Sequence, residues 1–149
     1  PSRQLELLRS NVPSPNGVAL SSDGKVLYLA VTRGNCVWRV PLLADGSVAK
    51  VSQFFTSYGP SGPDGLAVDV QGRVLVANPG LGYVWVLSTR AEPVMVLRGP
   101  AGASTTNIAF GGPHRSTLFV TDSTHGNVLM HALDAPGVVL HGLLAADGK

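Results

Sequence analysis

Three residues in this chain have the types and the spacing to gather around one metal ion. They are Asn16, Asp64 and Thr106, and each heads a repeated unit. The units read Pro15-Asn16-Gly17-Val18-Ala19-Leu20, Pro63-Asp64-Gly65-Leu66-Ala67-Val68 and Thr105-Thr106-Asn107-Ile108-Ala109-Phe110. Carboxylate and amide oxygens are hard donors that suit Ca²⁺ and also admit Zn²⁺ or Mn²⁺. A plainer reading stands beside this one. Asn16 and Asp64 each follow Pro and precede Gly, which is ordinary turn chemistry. The hydroxyl of Thr106 has local backbone to bond, as Thr side chains commonly do.

The elements that would position these residues follow from the spacing. Asn16 and Asp64 are 48 residues apart, and Asp64 and Thr106 are 42 apart. A repeat of that length built from short apolar runs marks the blades of a β-propeller. The expected strands are 17–21, 25–31, 36–42 and 48–55 in the first unit. They are 65–69, 73–78, 82–88 and 93–97 in the second, and 107–111, 116–121, 126–132 and 137–142 in the third. Ser22-Asp23-Gly24 and Val70-Gln71-Gly72 read as hairpin turns, with Gly supplying positive φ. The second strands, such as Val74-Leu75-Val76-Ala77, are apolar throughout, so both of their faces should be buried between neighbouring blades. The fold class is therefore all-β, one half-propeller domain over 1–149 with blades near 12–56, 57–98 and 99–143. Residues 4–10 add a separate strand that completes a blade.

Within a blade the first strand lines the channel and the second returns to the same mouth. Asn16, Asp64 and Thr106 should converge there, with Asn78 and Asp122 at the ends of the second strands beside them. Asn78 and Asp122 are candidates for supporting or substrate contacts, against a reading as turn-formers. His125 lies in the loop after Asp122 and is a candidate substrate contact or acid/base group. His114, His131 and His141 fall on a far turn or outer strands and read as structural. Trp38 and Trp85 hold equivalent third-strand positions and read as packing between blades.

Three blades do not close a ring, because propellers have about four to eight. An open arc would expose two broad apolar faces. A homodimer solves this by building a six-bladed ring, with the strand at 4–10 of one chain completing the last blade of the other. The alternative is a fragment of a longer chain. A two-fold pair would place two Asn16 and two Asp64 around one channel.

Composition excludes several classes. The chain is 149 residues long, 44% hydrophobic and only 13% charged, with 18 Gly and 11 Pro. The net charge of +2 comes from scattered Lys and Arg, and the few aromatics give no stacking platform, so nucleic acid is not an expected partner. No run reaches the ~18 apolar residues of a membrane span, and no signal peptide opens the chain, so the expectation is a cytoplasmic protein. The single cysteine, Cys36, lies in an apolar run and reads as a buried inert thiol. No Cys/His cluster has zinc spacing, and no Gly-x-Ser-x-Gly elbow or phosphate loop is present.

Taken in order, Pro15 to Gly24 with Leu27-Tyr28, Gly62 to Asp69 with Val76-Ala77, and Thr105 to Gly112 with Leu118 to Thr121 resemble the senescence marker protein/gluconolactonase/luciferin-regenerating enzyme family. The resemblance is to the C-terminal half of these six-bladed propeller lactonases and spans about residues 4–142. It implies one divalent metal in the channel, often calcium or zinc, with Asn16 and Asp64 as two of its ligands. It also implies Asp64 as a candidate general base. A glutamate and a further asparagine of the family's first half have no counterpart in this chain. The expected function is a metal-dependent hydrolase, a lactonase or esterase on a small lactone. The alternatives are a non-catalytic half-propeller serving as a binding or scaffold module, or a strictosidine-synthase-like propeller.

Overall fold

The computed structural model describes residues 4–139. They form a radial array of three antiparallel sheets. The first is β1 (Pro15–Leu20), β2 (Val26–Val31), β3 (Cys36–Pro41) and β4 (Ser52–Thr56), paired in chain order. The second is β5 (Leu66–Val68), β6 (Val74–Asn78), β7 (Tyr83–Leu87) and β8 (Pro93–Arg98), again in chain order. The third is β9 (Thr105–Gly111), β10 (Thr117–Asp122) and β11 (Asn127–Ala132), with three strands among the described residues. The arc is a partial β-propeller. No helix among the described residues is long and apolar enough to cross a membrane.

Local chemistry explains the hairpins. Gly24 and Gly72 adopt φ of 69° and 78°, a region open to glycine without strain. In each turn a nearby Asp caps the backbone: Asp23 accepts from the Lys25 amide, and Asp69 from those of Gln71 and Arg73.

The pleat explains the layering. Val74 and Val76 of β6 pack toward the first sheet with Tyr28, Ala30 and Val37, while Leu75 and Ala77 pack toward the third with Ile108, Leu118 and Val120. Alternate residues of one strand therefore feed two different cores, which is why that strand is apolar without alternation. β10 breaks this rule. Leu118 and Val120 are buried, but Phe119 and Thr121 are exposed, because no sheet among the described residues lies on their side. Trp85 packs between the first two blades against Phe55 and Tyr58, whereas Trp38 lies on the outer face of the first blade beside Val12. Cys36 is buried, and burial raises its thiol pKa.

Two expected strands are corrected. Residues 4–10 form no strand within the single chain, and Leu5 and Leu7 are exposed. A lone strand has no ladder to join here, since the edge of β11 lies at the other end of the arc. The segment expected at 137–142 does not continue along β11 in its described part. Gly137 bridges Asp69, and the Val138 amide donates to Val68 O at 3.0 Å. Arg73 draws it there, pairing with buried Asp69 at 2.5 Å and with Asp134 at 2.6 Å. Residues 140–142 of that expected strand, and His141, lie outside the described residues. β4 also starts at Ser52 rather than 48, with Val48 reduced to a single bridge to Leu42.

Candidate functional site

The three unit heads stand side by side at one end of the inner strands. The Gly17 amide donates to Asp64 O at 3.1 Å, and the Gly65 amide donates to Thr106 O at 2.9 Å. Each head is thus tied to the next by one backbone bond across a blade boundary. The glycines make this approach feasible. A Cβ on Gly17 would lie 2.3 Å from Asp64 O, and one on Gly65 would lie 2.5 Å from Asn107 Oδ1 and 2.7 Å from Asn107 Cα. Neither glycine has positive φ. They are present because inner strands crowd toward the channel, which corrects the reading of Asn-Gly and Asp-Gly as turn chemistry.

Asp64 is half-buried. Loss of water raises its pKa above the usual carboxylate value, and the Asn16 amide offsets part of that. Asn16 Nδ2 donates to Thr32 Oγ1 at 3.3 Å, and Thr32 Oγ1 donates to Pro63 O at 2.8 Å. Thr32, just past β2, therefore locks Asn16 to the residue preceding Asp64. Sequence reading missed it. Its signal, a lone hydroxyl at a strand end, is indistinguishable from many others. Thr106 Oγ1 lies 2.8 Å from Thr121 Oγ1, so its hydroxyl is already engaged.

Asn78 and Asp122 occupy the same register, the last residue of a second strand, and both are buried. Each grips the loop arriving from the blade before. Asn78 Nδ2 donates to Ser57 Oγ at 2.5 Å and Tyr58 O at 3.0 Å. Asp122 Oδ1 accepts from the Ser104 amide at 2.9 Å and the Thr124 amide at 3.1 Å. The Ser104 amide is the main reason its carboxyl is held below the usual range, with His125 adding to it. Asp122 Oδ2 lies 2.6 Å from His125 Nδ1, and the other nitrogen of this half-exposed ring has no partner among the described residues. Asn78 Oδ1 is buried with no partner among the described residues.

A metal at the heads would find two good donors, Asn16 and Asp64, and no cation among the described residues pairs with that carboxylate. Among the described residues no three His, Cys, Asp or Glu side chains cluster as ligands. The donor set fits one side of a hard-cation shell.

The sequence model of the SMP-30/Gluconolactonase/LRE-like region matches residues 1–124. The chain belongs to this family. Within the SMP-30/gluconolactonase family, the chain is 36% identical to Lactonase drp35 of Staphylococcus saprophyticus over 89 residues, which are 56% of this chain and 27% of that protein. Regucalcin of Agrobacterium tumefaciens, described as a calcium-binding protein, superposes with a TM-score of 0.71 at 29% identity, covering 85% of this chain and 50% of that one. A luciferin-regenerating enzyme superposes with a TM-score of 0.77 over 92% of this chain and 52% of its own, and at 24% identity it supports the fold. The chain thus spans from about a quarter to about half the length of these SMP-30/gluconolactonase relatives.

Proposed function

We propose that this chain supplies half of the active channel of a metal-dependent lactonase acting on a small lactone or related ester. The observation that carries the reading is the pairing of Asn16 with a desolvated Asp64, without a cation partner among the described residues, at the heads of adjacent inner strands. The names of the lactonase relatives agree with it. Asn16 and Asp64 would hold the divalent ion, Ca²⁺ by donor type. When bound, such an ion polarises the lactone carbonyl and makes a water acidic.

The chain's own groups do the rest. Thr32 holds the Asn16 amide in place. The second oxygen of Asp64 takes the proton of the attacking water and returns it to the departing ring oxygen as the C–O bond breaks. Asn78 and Asp122 fix the two loops that frame the mouth, and His125, with Thr106, borders the substrate. A second copy of the chain would close the ring and bring a second Asn16 and Asp64 to the channel as further ligands.

Lactone hydrolysis measured before and after chelator treatment, and in Asp64→Ala, tests the reading. Activity should fall about 10²–10⁴-fold in the variant and return to the wild type on adding Ca²⁺. Activity that survives both chelation and Asp64→Ala rules the mechanism out.

A further inference from the structure

A groove of about 610 Å³ runs outward between the second and third blades, away from the channel heads. Its walls are the Pro79–Leu81 turn after β6, Tyr83, Arg98 and the loop Gly99–Ser104, with Thr124 at one end. It opens on the same rim as Asp64. The Asp64 amide donates to Ala77 O, one residue before Asn78 and the turn that forms the wall. Thr105, next to Thr106, donates to Tyr83 O at 2.7 Å and joins the groove to the head of β9.

Arg98 is the one charged side chain lining the groove among the described residues. Arg98 is exposed, and its guanidinium lies over the Tyr83 ring, 4.3 Å from its centroid, in a cation–π contact. No carboxylate among the described residues forms an ion pair with it. The nearby acid, Asp122, is fully used behind the wall by Ser104, Thr124 and His125. His125 in turn abuts the wall, its Cε1 and Nε2 3.9 and 4.0 Å from where a Gly102 Cβ would be. The amides of Ala101 and Gly102 have no protein acceptor among the described residues. An exposed guanidinium stacked on Tyr83 without a carboxylate partner, beside a turn whose Ala101 and Gly102 line the same polar groove, makes a site for a planar or tetrahedral anion.

We propose that this groove is an anion subsite that takes a carboxylate or a phosphate ester, with Arg98 as the pairing cation and Tyr83 as its support. Resting on the lactonase reading, it assigns the substrate an acidic group, placed outward while the ring sits at Asp64. The binding itself does not need the reaction.

Calorimetric titration of the chelator-treated protein with inorganic phosphate, gluconate and uncharged glucose tests this. The wild type should bind phosphate, gluconate or both saturably and glucose not at all, and which anion binds names the group. Arg98→Gln should weaken anion binding about tenfold or more. Arg39→Gln, at a likewise exposed arginine on β3 outside the groove, should leave it unchanged. The proposal is overturned if neither anion binds, if Arg98→Gln binds like the wild type, or if Arg39→Gln weakens binding equally. Loss of the subsite with lactone hydrolysis intact would remove this proposal and leave the hydrolase standing. Anion binding without hydrolysis would do the reverse.

Discussion

At the scale of single residues, Asp64 and Asp122 show two opposite fates of a carboxylate. Asp122 is surrounded by donors, so its ionised form is favoured in the fold. Its contribution to stability is present above the unfolded value of about 3.9 and is lost as pH falls through its lower folded value. Asp64 is the reverse, since loss of water raises its pKa and ionising it costs stability. Between the unfolded and the raised folded value the native state binds more protons, so stability falls as pH rises across that interval. Asp64→Asn, which removes the charge and keeps the shape, should therefore stabilise the metal-free protein at pH 7. Screening at a half-exposed site keeps the gain below about 1 kcal/mol, a rise in Tm of up to about 2–4 °C. Thermal melts at pH 7 and pH 3.5 check this, because the difference should vanish at the lower pH. A destabilised Asp64→Asn at pH 7 in chelator would contradict the desolvation argument. The same unfavourable charge is what a bound cation would relieve, so added Ca²⁺ should stabilise wild type and not this variant.

At the scale of elements, Asn16-Gly17 and Asp64-Gly65 belong to the boundaries between blades rather than to turns. Gly65 faces backbone and side chain of Asn107, and Gly17 faces the backbone of Asp64 to Leu66. A methyl group at Gly65 would have to push β9 outward, since part of what it meets is main chain. Gly65→Ala should cost about 1–3 kcal/mol, as overpacking of a tight contact does, and should displace the Asp64 head. Urea denaturation reads the first effect. By contrast, Ala at Gly46 meets no neighbour within 4 Å, and its φ of 82° leaves only a backbone penalty, so the two variants separate crowding from strain. The strand pattern itself was legible: β2, β3, β6, β7, β10 and β11 fall within a residue of their expected limits. Apolar runs punctuated by Gly-bearing turns are local signals, and hairpin pairing follows from them. Asn78 and Asp122 were placed at the mouth by the same register, but their grip on loops 57–58 and 104 was not legible. It depends on where the preceding blade arrives.

At the scale of the molecule, the two end faces of the arc meet no further sheet among the described residues. On the third blade Phe119 pairs across to Met130 and Thr121 to Val128, putting Phe119, Met130 and Val128 on one exposed face. On the first blade Val18 and Leu20 pair with Leu29 and Leu27, and Leu7, Leu8 and Val12 line an open groove with Leu27, Leu29 and Val40. The proposed two-fold ring sets these faces against each other. It also brings the exposed Leu5 and Leu7 of one chain near the edge of β11 in the other, which pairs with no further strand among the described residues. Light scattering should give the mass of two chains. Val128→Lys with Met130→Asp should yield a folded monomer without lactonase activity, since both side chains are exposed in the single chain and neither supports its core. A wild-type monomer with an ordinary folded spectrum would refute the ring of two copies.

By itself the sequence determined the all-β class, the three-unit repeat and the convergence of Asn16, Asp64 and Thr106. Those follow from strand propensity, turn residues and period, all carried by neighbours along the chain. The tertiary structure decided what only contacts between distant residues can decide. It gave Gly17 and Gly65 their purpose, because the crowding partner lies more than 40 residues away in each case. It engaged the Thr106 hydroxyl with Thr121 and bound Asn16 through Thr32. It left residues 4–10 without a ladder and drew Gly137 to Asp69, since strand pairing needs an open edge within reach and ion pairing at Arg73 offered another anchor. The groove at Arg98 arose the same way, from a loop and a turn of different hairpins that only the packing of blades brings together.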